Sequence, residues 1–344
     1  MSSLAIRPVE NEVGRKAWDE FVWSHPLGTP FHLDAWRKVI TRTFNYKCNS
    51  IAAWRGDQLE AVLPLFLVSN PILGRILLSS PFAVYGGILA SNAEAADALR
   101  EHAAELGREL RVQYVELRNW DESQCGAWPR VDRYVTFLKD LESTPDEILK
   151  ALPRETRRMT RRAIEQNYDI RPTRELSEFD PLYAANLRKL GTPSFPASHF
   201  RHIMEEFPAA EVLELRLKGK VVAAVLSLFH GQTVLPYYGA SDPAFNHANP
   251  NNMMYFALMC EARRRGLLRF DFGRSKKATG AYLFKSHWNM EERALPYEIH
   301  LVKRQDLPNF SPTNPKFDLA IRMWRRVPLP LTRLIGPWLI RLFP

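Results

Sequence analysis

The chain has 344 residues, enough for roughly two domains of about 150 residues, each able to bury a core of its own. Hydrophobic residues make up 46% and charged residues 25%, which fits a globular chain and excludes a disordered one. The net charge of +9 favours anionic partners (nucleic acid, phosphorylated small molecules or an anionic membrane face) without choosing among them.

The N-terminal stretch carries Arg7, Glu10 and Glu12 and has no apolar run of the signal-peptide kind, so a cytoplasmic protein is expected. In chain order, Leu27-Gly28-Thr29-Pro30 precedes a helix predicted over 33–43. A hairpin follows, with strands at 51–54 and 59–67 around Arg55-Gly56-Asp57-Gln58. A third strand is expected at 84–89. The longest apolar stretch, 76–90, is broken by Ser, Pro and Gly and is too short to cross a bilayer. Helical spacing over 94–108 puts Ala95, Leu99, Ala103 and Leu106 on one face, and a short buried strand closes the unit at 112–117.

After an Arg-rich stretch the same order starts again. Leu190-Gly191-Thr192-Pro193 stands 163 residues after its counterpart, and Phe207 and Gly219 stand at that offset from Phe44 and Gly56. A helix over 197–207, strands at 212–217 and 221–229 around Lys218-Gly219-Lys220, and a strand at 233–239 repeat the first half. The helix over 252–265 shows an apolar face of Met253, Phe256, Ala257, Met259 and Cys260, with Gly266 placed as its C-cap, and a strand follows at 268–272. Tyr237-Tyr238-Gly239-Ala240 matches Val84-Tyr85-Gly86-Gly87 at a shorter offset, so the first half holds about ten extra residues, placed within 70–81.

The expected organisation is an α/β (α+β, mixed-sheet) fold of two tandem modules. The first domain spans 1–141, a basic helical linker 142–174, the second domain 175–303, and a basic, Pro-rich segment 304–344. The linker helix, 144–167, is interrupted at Pro153 and carries Arg154, Arg157, Arg158, Arg161 and Arg162 on one face. In 319–343, Trp324 and Trp338 interleave with arginines, which suits either an interfacial helix at an anionic membrane or packing against the protein. Cys48, Cys125 and Cys260 read as reduced thiols, and no ligand spacing suggests a metal.

The duplicated module, the Arg-rich linker and the stretch Asp271-Phe272-Gly273-Arg274-Ser275-Lys276, with Gly280-Ala281-Tyr282-Leu283-Phe284-Lys285 and Trp288, resemble the FemAB-like acyl and aminoacyl transferases of the GNAT superfamily. Pro81-Phe82-Ala83-Val84-Tyr85-Gly86-Gly87 adds similarity to a subgroup associated with exopolysaccharide and PEP-CTERM systems. The resemblance implies two tandem GNAT-like domains, with the second as the catalytic half. It also implies transfer of an acyl or aminoacyl group onto an amine or hydroxyl. The Gly-rich pyrophosphate turn of acetyl-CoA enzymes is missing at 90–93 and 246–252, which favours a donor other than free acetyl-CoA; the expected donor is aminoacyl-tRNA or an acyl thioester. No bound cofactor is expected.

The resemblance makes Lys285 a cation for the donor phosphate or the transition state, and Arg157 a phosphate-binding residue. Asp271, set among aromatic residues, is a catalytic base or a structural partner of Arg274 or Lys276. Arg274, Ser275 and Lys276 follow a strand end, where function commonly sits. Tyr237 and Tyr238 line an acceptor cleft or belong to the core. Asn251 and Asn252 cap the following helix or bind substrate. Trp288 completes the substrate-binding set. The readings left open are a transferase acting on a cell-envelope or exopolysaccharide precursor, an acyl-CoA or acyl-carrier-protein-dependent N-acyltransferase, and a non-catalytic module for a phosphorylated polymer or membrane lipid.

Overall fold

The computed structural model describes residues 3–71, 74–308 and 315–344. The chain divides into two compact units, Met1–Tyr134 with Ala294–Asn314 and Trp338–Pro344, and Val135–Arg293 with Pro315–Pro337. The expected extra residues at 70–81 and the segment 304–344 lie in part outside the described residues.

The first unit opens with β1 (Leu4–Pro8), α1 (Glu12–Ser24) and α2 (Asp34–Phe44). A hairpin of β2 (Ile51–Arg55) and β3 (Gln58–Leu63) turns at Gly56, whose φ of 64° is one that glycine adopts readily. Pro64 ends that pairing, and the expected single strand over 59–67 becomes two. β4 (Phe66–Asn70) moves to another sheet, where it pairs with β5 (Gly74–Leu78) from the inserted segment. The strand expected over 84–89 is reduced to Leu89–Ala90 beside β3, because the stretch before it is irregular buried backbone. α3 (Ala93–Glu109) starts at an Asn92 cap and buries Ala95, Leu99 and Ala103, the face that its spacing predicts. β6 (Tyr114–Leu117) runs parallel to β5 and antiparallel to the late strand Tyr297–Leu301.

In the second unit, β7 (Tyr134–Asp140) leads into α4 (Pro145–Ala151) and α5 (Arg154–Ile164), which part at Pro153. The stretch read as a linker lies inside this unit: α4 and α5 pack on a later helix, and β8 (Asp169–Thr173) is a strand of its sheet. Next come α6 (Phe179–Leu190), α7 (Ala197–Glu206) and the strands β9 (Glu211–Leu217), β10 (Lys220–His230) and β11 (Thr233–Ser241). α8 (Pro250–Arg264) ends in Gly266 at φ 82°, with Leu267 N–H bonding back to Ala262, the expected C-cap. The buried face of α8 differs from the periodicity: Met254, Phe256, Leu258 and Met259 are buried, whereas Met253, Ala257 and Cys260 are half-buried. β12 (Arg269–Asp271) lies between β11 and β7, in the sheet order β8-β9-β10-β11-β12-β7. α9 (Gly280–Ser286), α10 (Pro315–Trp324) and α11 (Leu329–Leu339) complete the unit's helices, the last residues of α11 belonging to the first unit.

The repeated landmarks do repeated physical work. Phe44 and Phe207 are both buried, and Gly56 and Gly219 both turn a hairpin at positive φ. Gly28 and Gly191 are needed for different reasons. A Cβ at Gly28 would stand 2.0 Å from the Val22 carbonyl oxygen, while Gly191 holds φ 81° and would meet Ile321 at 2.4 Å. The Gly28 contact is with backbone, which cannot step aside, so Gly28→Ala should destabilise the first unit by about 2 kcal/mol or more. Urea unfolding of the two proteins measures the difference.

Candidate active site

β11 and β12 are parallel and pair at Thr233–Arg269 and Val234–Phe270. Beyond that point they part. β11 continues to Ser241 along β10, whereas β12 ends at Asp271 along β7. The ladder between them therefore has a gap toward their C-terminal ends, the position at which parallel sheets bind ligands.

Aromatic residues close the gap on the α8 side. The Tyr255 ring lies 4.7 Å from Phe272 and 5.9 Å from Trp288, edge to face. Its hydroxyl would stand 2.8 Å from a Cβ placed on Gly239 of β11, so that strand must carry glycine there. Tyr255 makes no hydrogen bond through its hydroxyl among the described residues, and burial pushes the phenol up to about 12. The helix that carries it starts uncapped. Asn249 takes a left-handed conformation, φ 55°, and no side chain bonds to the first turn. The expected capping by Asn251 or Asn252 is therefore absent. Asn252 is 5% exposed, and its side chain makes no hydrogen bond among the described residues.

The other wall is the loop after β12. The Asp271 carboxylate is buried and accepts from Thr136 Oγ1 at 2.7 Å and from the Gly273 N–H at 2.8 Å. Gly273 turns the chain at φ 68°. The Lys285 ammonium, on α9, donates to the carbonyls of Phe272 (2.6 Å), Gly273 (3.0 Å) and Arg274 (3.3 Å). An ammonium has three N–H groups, and these carbonyls use all of them. In this arrangement Lys285 holds the loop through its backbone. Burial lowers Lys285 from its ordinary 10.5 to about 8, against the pull of Asp271 and with some help from Arg274.

The remaining expected residues divide between this loop, the core and the surface. Arg274 and Lys276 are half-buried in the loop. Ser275 is 3% exposed, with an Oγ that makes no hydrogen bond among the described residues. Tyr238 is core, packed edge to face on Tyr183 and Phe200, and its hydroxyl sits 2.8 Å from His199 Nε2. Burial raises the Tyr238 phenol far above its usual value and lowers His199 to about 3, so both groups are held in their neutral forms. Tyr237 is half-buried and is the extra residue of a bulge, since Leu226 pairs with Tyr238 and Ser227 with Pro236. Trp288 is 1% exposed, within the aromatic cluster rather than on a substrate surface.

Arg157 donates to the Lys150 carbonyl at the end of α4. Arg154, Arg161 and Arg162 are exposed and carry no ion pair among the described residues. α5 is tied to the end of α9 by Thr156, which donates to the His287 carbonyl at 2.5 Å.

Residues 151–286 match the family model described as an acetyltransferase (GNAT) domain. None of the curated proteins matches the chain. Among solved structures, FemX superposes with a TM-score of 0.68 at 16% identity, over 92% of this chain and 100% of that one. The DUF2156 C-terminal domain of a putative lysylphosphatidylglycerol synthetase from Agrobacterium fabrum gives 0.55 at 11% identity, over 83% and 91%. A tandem GNAT protein from the clavulanic acid biosynthesis pathway gives 0.53 at 11% identity, over 88% and 100%. The fold is a mixed α/β fold of two GNAT-like domains, and the family match supports acyl transfer in general terms.

Lys285 titrates lower in the folded chain than in the unfolded one. Between about 8 and 10.5 the unfolded chain therefore binds more protons, and this group's contribution to stability rises with pH. Across that window the wild type should gain stability relative to Lys285→Met, as read by chemical denaturation at a series of pH values. A constant difference would mean that the ammonium is not desolvated.

Proposed function

We propose that the second unit is a FemAB-like transferase that moves an acyl or aminoacyl group onto an amine or hydroxyl of a cell-envelope or exopolysaccharide precursor. The observation that carries this is the gap between β11 and β12, with an uncapped α8 at one side and the Lys285-clamped loop at the other. In the proposed reaction the acceptor's lone pair attacks the donor carbonyl carbon and forms the new amide or ester bond. The donor's ester or thioester bond then breaks; the acceptor's nitrogen or oxygen gives up one proton, and the leaving hydroxyl or thiol takes one up.

The Tyr255 hydroxyl is suited to that proton. It stays protonated at neutral pH and spends no hydrogen bond within the fold. The N–H groups at the start of α8 and the Asn252 amide suit a donor phosphate or the developing oxyanion. Lys285 and Asp271 act as positioning residues by fixing the 272–274 backbone.

Two donor classes fit. The exposed Arg154, Arg161 and Arg162 favour a polyanion such as aminoacyl-tRNA, whose binding would fall steeply with salt. The uncapped helix favours the phosphate of a phosphopantetheine thioester, on coenzyme A or an acyl-carrier protein. We assign the first unit a scaffold role.

Native mass spectrometry with charged tRNA, acyl-CoA and acyl-carrier protein in parallel identifies the donor by which complex survives. With that donor, Tyr255→Phe should lower kcat by about a hundredfold and leave KM near the wild-type value. Lys285→Ala should lose turnover while staying folded by circular dichroism. Retention of none of the donors, together with unchanged biological function in both variants, would turn the assignment to a non-catalytic binding module.

A further inference from the structure

The helix α11 is docked the wrong way round for a soluble protein. Leu331, Leu334, Ile335 and Trp338 recur at i, i+3, i+4 and i+7, the apolar stripe that a surface helix normally turns inward. Here the stripe faces solvent: Leu334 is 70% and Trp338 72% exposed, and Leu331 and Ile335 are exposed as well. The small and polar face is the buried one. Thr332 is 1% exposed and its carbonyl accepts from Ser194 Oγ at 3.0 Å. Gly336 lies so close that a Cβ would stand 2.7 Å from the Ser194 nitrogen. Arg333 pairs with Asp180.

α10 repeats the pattern. It is held through its Trp324, whose Nε1 donates to the Thr192 carbonyl at 3.1 Å, and through Ile321 against Gly191. Its Leu319 and Met323 are exposed at an i, i+4 spacing. This orientation is fixed by hydrogen bonds and close packing, so the exposed leucines are held outward. Large exposed apolar patches mark interaction surfaces.

Charge selects the partner. From Pro315 to the end, Asp318 is the sole acid in the sequence, against Lys316 and five arginines, of which Arg322, Arg325 and Arg326 are exposed. A second copy of this face would bring like charges together. An anionic bilayer would take the apolar stripe into its acyl boundary and the guanidinium groups at its phosphates, with Trp338 at headgroup depth and the Arg341 guanidinium 5.6 Å over its ring. We propose that α10 and α11 form a docking face for an anionic lipid bilayer.

The experiment is flotation of the full chain with vesicles of phosphatidylcholine alone and with vesicles of equal parts phosphatidylcholine and phosphatidylglycerol. The wild type should float with the anionic vesicles only, and less so as salt rises. The double variant Leu334→Gln/Trp338→Gln changes exposed side chains, so it should keep its fold. It should bind the anionic vesicles about tenfold or more weakly, since each apolar side chain contributes through the area it buries. Val13→Gln, which removes an exposed apolar residue elsewhere, should bind as the wild type does. Equal binding to neutral vesicles, no flotation, or loss of flotation in Val13→Gln alone would overturn the proposal. So would self-association on sedimentation equilibrium that the double variant abolishes, which would assign the face to a second copy of the chain.

Discussion

Two parallel strands that pair over two residue positions and then separate leave backbone groups that the sheet no longer satisfies, and the second unit is arranged around that separation. On one side the carbonyls of Phe272, Gly273 and Arg274 point at the Lys285 ammonium. On the same loop the Gly273 N–H goes to Asp271. A half-buried cation and a buried carboxylate thus act on backbone, and each satisfies groups that would otherwise be orphaned. On the other side Tyr255 replaces the missing strand neighbour, packed on Phe272 and against Gly239. The rings of Tyr255, Phe272 and Trp288 pack at this edge of the sheet, with the Met254 side chain beside Gly239.

The first unit distributes the same pairings over different strands. There, β5 from the inserted segment pairs in parallel with β6, and Leu89–Ala90 pairs with β3. The two pairings that β11 makes in the second unit fall to two different strands. At the place of Gly273 stands Arg118, buried, ion-paired with Glu116 and donating to the Ala83 and Pro344 carbonyls. A guanidinium fills the position where the second unit keeps a turn. That difference is the physical ground for proposing the second unit as the one that carries chemistry.

The order of elements was legible because its signals are local. Glycine turns at 56 and 219, the spacing of Ala95, Leu99 and Ala103, and Pro153 between two short helices all act within a few residues. The inserted strand and the irregular stretch before Leu89 were not legible, because which sheet a strand joins is decided by partners far along the chain. In the stretch from Asp271 to Lys285 the residue types stand out in the sequence, but their contacts do not: that the Lys285 ammonium meets three backbone carbonyls is set by the folded loop and not by a local pattern. Tyr255 carries no such signal, because an aromatic residue on an amphipathic helix reads the same at a proposed site as in a core.

The polar atoms that the fold leaves unspent separate those two cases. Tyr238 and Trp288 lie close to the chemistry in sequence, but Tyr238 gives its hydroxyl to His199 and Trp288 sits within a packed cluster of rings. Tyr255, Asn252 and Ser275 are near the same strand ends and bring polar groups that make no hydrogen bond among the described residues. The Ser275 Oγ is buried without a partner among the described residues, which costs about 1–3 kcal/mol. Beside an uncapped helix, a ligand that brings polar groups of its own would find partners in all three. The same test applied to α11 gives the opposite sign: its polar face is satisfied by the protein, and its apolar face is the part that waits for a partner.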